Sequence, residues 1–224
     1  MVMDAVAQFK EMQEEAFYSM EGLSRLNPEK LDFYIDYIKF QVENGFYDPD
    51  ANLNILKLYQ FSPELYSRSC VGNVHMVLVK ALMQLPNSDY VLCRAQLSQD
   101  MIDDPLTKKI DEVARLLETC QFPEFWNVIQ EEKIFSITVG FVEAVRNFVC
   151  FVLKLTYKNV EKDFLMQLLG PMTDQAIFED LAKKNSWVVT GDTVFVGEKE
   201  EMVEQKEIVE KMPIDVVTPI LAIR

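Results

Sequence analysis

Apolar residues recur at helical spacing through most of the chain. In residues 71–85, one helix face collects six apolar side chains: Val71, Val74, Leu78, Ala81, Leu82 and Leu85. Residues 28–44 repeat the pattern with Leu31, Ile35, Ile38 and Val42, with Tyr34 and Tyr37 beside them. Spacings of three and four residues predict amphipathic helices that bury one face. Short loops between such helices favour stacked antiparallel pairs, as in an α-solenoid.

Proline marks where several of these helices begin. Three tripeptides place a capping side chain, then proline, then an acid in the first turn: Asn27-Pro28-Glu29, Asp48-Pro49-Asp50 and Ser62-Pro63-Glu64. Asp104-Pro105 is a fourth start without the acid. Together with the breaks at 86–87 and 122–123, these starts predict about seven helices of roughly 10 to 18 residues in the range 1–135.

The pattern changes after residue 140. Residues 141–155 predict a strongly apolar helix, and Asn159 is expected to cap a second helix that stops at Gly170-Pro171. Thr173 is expected to cap a third helix that runs to about Asn185.

Two β-branched and aromatic runs, 187–190 and 193–196, then flank Gly191-Asp192 and predict a hairpin with a type II′ turn. Since a lone hairpin is marginally stable, we expect it to pack on the three preceding helices as the wing of a winged helix. Trp187 is expected to anchor this wing, and alternation places three valines on its side: Val189, Val194 and Val196.

The sequence thus predicts a mainly α-helical protein in three parts. Residues 1–138 form a domain of helical pairs, 139–197 a winged-helix module with one small hairpin, and 198–224 a charged tail with an apolar end. Aliphatic residues at a chain end must be buried somewhere or form an adhesive patch. The candidate partner-binding residues are therefore Ile208, Val209, Ile214, Val216, Val217, Ile220 and Leu221. Folding back onto the winged helix is the alternative for this tail.

Charge argues against a nucleic-acid reader. The net charge is −14, an excess that repels polyphosphate. The third helix and wing carry four acids against two bases, Lys183 and Lys184, and no arginine. DNA-reading winged helices are basic there. We therefore expect a protein-binding winged helix, with these two lysines as its candidate weak RNA contacts.

Chemistry-bearing motifs are sparse. The single histidine, His75, lies at the edge of an apolar helix face and is interpreted as a packed structural residue. Four scattered cysteines lack metal-ligand spacing and are expected to be free, mostly buried thiols in a reducing compartment. No glycine-rich phosphate-binding loop, signal peptide or membrane-length apolar run is found in the sequence. We expect a cytoplasmic protein with no catalytic residues, cofactor or metal.

Four segments together carry a family resemblance: YDPDANLNILKLYQFSPELY (47–66), LLETCQFPEFW (116–126), GFVEAVRNFVCFVLKLTYKNVEKDFLMQLLG (140–170) and IVEKMPIDVV (208–217). They resemble the subunit k family of eukaryotic translation initiation factor 3, in order and over nearly the whole chain. The resemblance implies a HEAT-like domain followed by a winged helix, related to the PCI modules of the proteasome lid and the COP9 signalosome.

It further implies a non-catalytic subunit that contacts other subunits of the factor, especially the l subunit, and supports its work on the small ribosomal subunit. On this basis we expect a scaffold subunit in translation initiation, with no membrane contact, no specific DNA binding and little direct RNA binding. Three alternatives stay open: a nucleic-acid-binding winged-helix protein, an enzyme, and a PCI-type subunit of another assembly such as the proteasome lid.

Overall fold

The structure, a computed structural model, describes residues 2–66, 71–129, 133–171 and 175–196. In these ranges the chain is mainly helical, with one small antiparallel sheet. Several sequence predictions lie outside the described residues: Cys70, the Thr173 cap and the whole tail 198–224 with its seven candidate partner-binding residues.

The first part of the chain, the helical domain, contains α1 Val2–Ser19, α2 Leu31–Asn44, α3 Pro49–Phe61, α4 Val71–Leu82, α5 Asp89–Ala95, α6 Gln99–Ile102, α7 Pro105–Glu118, α8 Phe122–Val128 and α9 Lys133–Ile137. The winged-helix module follows with α10 Phe141–Thr156, β1 Asn159–Glu161, α11 Lys162–Leu169, α12 Gln175–Lys184, β2 Val188–Thr190 and β3 Thr193–Phe195. Four helices before residue 140 have seven residues or fewer, so the expectation of about seven long helices is wrong.

The predicted helix starts mostly hold. The Asp48 carboxylate accepts the Ala51 N–H at 3.2 Å and opens α3, and Asp104 accepts the N–H groups of Leu106 and Thr107 at the start of α7. Asn27 caps a short 3₁₀ turn that continues into α2. Ser62 is the exception.

Ser62 makes no side-chain cap and is followed only by a 3₁₀ turn, Pro63–Leu65. Its own N–H is already committed to the carbonyl of Leu58 at the end of α3, at 2.9 Å. Ser62 is therefore the C-cap of α3, and the turn that follows it does not continue into an α-helix.

Helix α4 is the centre of the helical domain and packs against α2, α3, α5, α7 and α9. Four of the six residues of its predicted apolar face are buried (Val74, Leu78, Ala81 and Leu82), and Val71 and Leu85 are partly buried. Val77 and Val79 on other faces are also fully buried. The one-face prediction is wrong for this helix because neighbours surround it. Even Lys80 is only 1% exposed.

The winged-helix sheet has three strands in the order β1-β3-β2, all antiparallel. The hairpin is confirmed: Thr190 pairs with Thr193 across Gly191-Asp192, and Gly191 has φ +62°. The predicted Asn159 cap is wrong. Asn159 belongs to β1, where it and Glu161 are exposed while Val160 is buried, and α11 begins three residues later.

The wing packs on the helices through one face. Trp187 is 8% exposed, and Val194 and Val196 are buried, as predicted. Val189 lies opposite Val194 but is 46% exposed, so its predicted burial is wrong. The reason is that β2 is the sheet edge, and the helices do not cover Val189 there.

The two parts of the chain meet at Trp126 of α8. Its indole N–H donates to the carbonyl of Leu168 at 2.9 Å, and its ring lies directly against Gly170. The Arg146 guanidinium lies over the same ring, 5.7 Å from its centre, and donates to the carbonyls of Leu169 and Pro171. The domain boundary near residue 138 falls in the turn between α9 and α10 and stays a prediction.

Candidate protein-interaction surface

The two candidate phosphate-contacting lysines lie at the end of α12. Both side chains are exposed, but Lys184 donates a hydrogen bond to Asn147 of α10 at 3.1 Å. Exposed Glu179 and Asp180 precede them on the same helix. Lys183 is therefore exposed on the same helix as two carboxylates, and Lys184 is hydrogen-bonded to α10 within the protein.

A groove of about 570 Å³ separates α12 from the turn between α9 and α10. Val139, Val142 and Leu181 give it apolar walls, and Arg146 and Lys184 add charge. The side chain of Ile137, at the end of α9, is also exposed.

The outer face of α10 carries an apolar surface. Phe141, Val145, Val149 and Leu153 of α10 point into the core, whereas Phe151 and Leu155, one turn apart, are exposed. Tyr157 and Phe164 are also exposed and touch edge to face, with ring centres 6.4 Å apart. We call these four residues, Phe151, Leu155, Tyr157 and Phe164, the α10–α11 patch. Large exposed aromatic and aliphatic side chains such as these two pairs are typical of protein contacts.

Sequence reasoning missed this patch, although α10 gave a signal for it. Residues 148–153 read Phe-Val-Cys-Phe-Val-Leu, apolar on every side. A helix that is apolar all round has a second face to bury. In the described structure that second face remains open.

The chain leaves the described region next to this patch. The N–H of Val196, the last described residue of the wing, donates to the carbonyl of Lys158 at 2.9 Å. Lys158 follows Tyr157 directly. The described part of the chain therefore ends beside Tyr157 of the α10–α11 patch.

The strand β2 offers a further contact feature. Among the described residues it is a sheet edge with exposed Val188 and Val189, and it lies on the opposite side of β3 from β1. Unpaired edge strands present free backbone groups to other chains.

His75 is packed and structural, as predicted. Its Nε2 lies 3.0 Å from an Asp104 carboxylate oxygen and 3.1 Å from the Thr107 hydroxyl. The same carboxylate oxygen caps α7, so this cluster ties α4 to the start of α7. Burial lowers the pKa of His75, and the neighbouring Asp104 opposes this without reversing it.

The described cysteines are free thiols. Cys93 and Cys150 are buried, and burial raises their thiol pKa to about 12 and about 11, which keeps them protonated and poorly nucleophilic. Cys120 is exposed. Within the described ranges, no three His, Cys, Asp or Glu side chains are grouped to hold a metal ion. No helix there has the length and apolarity to cross a bilayer.

Comparison with known proteins finds one matching family and relatives of the same name from several animals. A model of the CSN8/PSMD8/EIF3K family matches residues 73–207. A Nematostella vectensis protein named eukaryotic translation initiation factor 3 subunit K is 36% identical over 95% of this chain and 97% of its own length. Proteins of the same name from Mus musculus and Homo sapiens are 33% and 32% identical, each over 97% of this chain and 99% of the relative.

Proposed function

We propose, since this chain belongs to the CSN8/PSMD8/EIF3K family, that it is a subunit of eukaryotic translation initiation factor 3 and acts by binding other subunits. The proposal rests on the similarity to a relative of that name, which covers 95% of this chain and 97% of the relative. In this role the protein is a non-catalytic scaffold in the cytoplasm that supports assembly of the factor on the small ribosomal subunit.

The surface of the winged-helix module supports a protein-binding role. Its third helix presents carboxylates beside Lys183, whereas α10 and α11 present exposed aromatic and aliphatic side chains. Aromatic side chains in such a patch are characteristic of the core of a protein interface. We assign the α10–α11 patch to contact with a neighbouring subunit, and the l subunit is the proposed neighbour.

The tail is the second proposed contact. Its candidate docking residues are Ile208, Val209, Ile214, Val216, Val217, Ile220 and Leu221. Because the chain leaves the wing beside Tyr157, the tail and the α10–α11 patch can serve one and the same partner.

One alternative has a specific observation in its favour. The matching family is also described by the names CSN8 and PSMD8, so membership of a related assembly fits the same fold. Co-purification separates the two. An affinity-tagged copy of the full chain is expressed in cells of the organism that makes the protein, and the proteins that co-purify in stoichiometric amounts are identified by mass spectrometry. We expect subunits of initiation factor 3; a complete set of proteasome-lid subunits in their place would contradict the proposal.

Truncation after Gly197 tests the tail. We expect the shortened protein to keep its melting temperature while it no longer co-purifies with the l subunit. A markedly lower melting temperature would show that the tail belongs to the protein's own core, and full retention of the partner would show that the tail is dispensable.

The substitution Leu155→Glu tests the α10–α11 patch. Leu155 is 70% exposed, so the charge is tolerated in the free protein, but it is desolvated in an apolar interface. We expect loss of the l subunit with little change in melting temperature. Phe61→Glu, at an equally exposed aromatic of α3, is the matched control and should retain the partner. Equal retention by both variants would remove the patch from the interface.

A further inference from the structure

The end of α1 carries an exposed aromatic pair. Phe17 and Tyr18 are 62% and 68% exposed, and their rings meet edge to face with centres 6.0 Å apart. The other side of the same turn is tied into the fold, since Ala16 is fully buried and the Ser19 hydroxyl lies 2.7 Å from that of Tyr34. The two aromatic rings are therefore held outward by a fixed helix end.

These rings border a groove of about 380 Å³. Its other lining side chains are Gln13, Glu14, Met20, Asp48 and Asp50. We call it the acidic–aromatic groove. Glu14 stands one helical turn before Phe17 and Tyr18, so its carboxylate and the rings share one face of α1.

The electrostatics of this groove favour a positive charge. Asp48 is committed, because it accepts from Tyr37 and caps α3, but Glu14 and Asp50 are exposed. The last turn of α1 contains no basic residue, so no side chain of that turn opposes the negative end of the helix dipole. Lys30 forms an ion pair with Glu15 at 3.8 Å and thus faces another carboxylate.

Aromatic faces together with carboxylates are the chemistry that binds guanidinium and ammonium groups. Two occupants from this protein itself fit poorly. A second copy brings a net charge of −14, and residues 198–212 of the tail hold six glutamates against three lysines. We propose that the acidic–aromatic groove docks an arginine- or lysine-bearing segment of a partner protein.

The proposal does not depend on membership of any complex, so a defined peptide tests it directly. The probe is a short fluorescent peptide that alternates arginine and alanine, titrated with the full chain at about physiological salt and followed by anisotropy. We expect Phe17→Ala plus Tyr18→Ala to weaken binding about tenfold. Phe61→Ala, which removes an equally exposed aromatic of α3, should bind like the unchanged protein.

A charge-matched pair separates this groove from general attraction to an acidic protein. Glu14→Gln plus Asp50→Asn should weaken binding several-fold, whereas Glu112→Gln plus Glu118→Gln on exposed positions of α7 should not. Equal weakening by both pairs, or unchanged binding by the aromatic variant, would overturn the proposal. Self-association of the unchanged protein that the aromatic variant abolishes in sedimentation would also overturn it, because the occupant would then be a second copy.

Discussion

Gly170 lies directly against Trp126 of α8, where the helical domain meets the winged-helix module. Its backbone has φ +80° and ψ −179°, a region that is open in practice only to glycine. A Cβ added there would lie 2.3 Å from the ring of Trp126. We expect Gly170→Ala to lower the free energy of unfolding by about 2–5 kcal/mol, as strain and overpacking add.

Gly191→Ala is the matched control for this experiment. Gly191 also has a positive φ, +62°, but no atom lies within 4 Å of an added Cβ. Gly191→Ala should therefore lower the free energy of unfolding only through its unfavourable backbone conformation, by about 1–2 kcal/mol. Urea denaturation of both variants measures the difference, and equal costs would mean that Trp126 moves aside without penalty.

Lys80 makes stability depend on pH. Burial lowers the pKa of this ammonium group from 10.5 to about 8. Between these two values the unfolded chain binds a proton that the folded chain does not, so stability rises with pH across that window. Below pH 8 both states are protonated and the full cost, about 3 kcal/mol, is present.

Lys80→Met should therefore raise the free energy of unfolding at neutral pH by up to about 3 kcal/mol. The difference between the two proteins should shrink from pH 8 to pH 10.5. Lys39→Met, at a half-exposed lysine on α2, should change the free energy of unfolding at neutral pH far less, because its side chain is not buried. A less stable Lys80→Met protein at neutral pH would mean that the ammonium is well compensated in the fold.

Some residue roles are readable in sequence and others are not. The helix-capping role of Asp48 and Asp104 can be predicted from the sequence, because the cap, the proline and the first helical turn are adjacent in the chain. The burial of Lys80 has no local signal. It follows from the helices that surround α4, and the spacing of residues along α4 carries no information about those neighbours.

At the scale of elements, the junction between α12 and β2 fixes the wing. Ser186 has φ +57°, the N–H of Ser186 bonds to the Lys183 carbonyl, and that of Trp187 bonds to the Ala182 carbonyl at 2.9 Å. This is the Schellman pattern of a helix end, with Trp187 and Ala182 both buried at its apolar contact. The ring of Trp187 reaches Phe178 of α12, with centres 6.5 Å apart.

Trp187→Ala should therefore destabilise the protein by roughly 3–5 kcal/mol, as for a large aromatic residue lost from a core. Val188→Ala, at the next position, where the side chain is 46% exposed, is the control and should cost far less. Thermal unfolding measures both. An unchanged melting temperature for Trp187→Ala would make the indole a partner contact instead of an anchor.

The hairpin could be predicted because its turn and both strands lie within ten residues, 187–196. The strand β1 could not. It has three residues, and its pairing partner β3 follows more than thirty positions later. The local sequence around Asn159 is compatible with either a helix cap or a strand, and the pairing with the distant strand β3 determines that it is a strand.

The exposed face of α10 has the same origin. Residues 148–153 of α10 are apolar on every side of the helix, and only the packed arrangement separates the inner face from the α10–α11 patch. Sequence pattern thus predicts which elements form, while their packing determines which apolar face is left for a partner.

At the scale of the whole molecule, charge governs what the surface can bind. The chain carries a net charge of −14, and the wing side of the molecule presents Glu179 and Asp180 beside Lys183, with Lys184 bonded to Asn147. Non-specific binding to nucleic acid requires several free cations that displace counterions, and its affinity then falls steeply with salt. We expect the isolated protein to bind single- and double-stranded RNA weakly and without sequence preference, with a salt slope near zero. Titrations at increasing salt measure this slope. Micromolar or tighter binding that Lys183→Glu plus Lys184→Glu abolishes would show instead that α12 contacts phosphate.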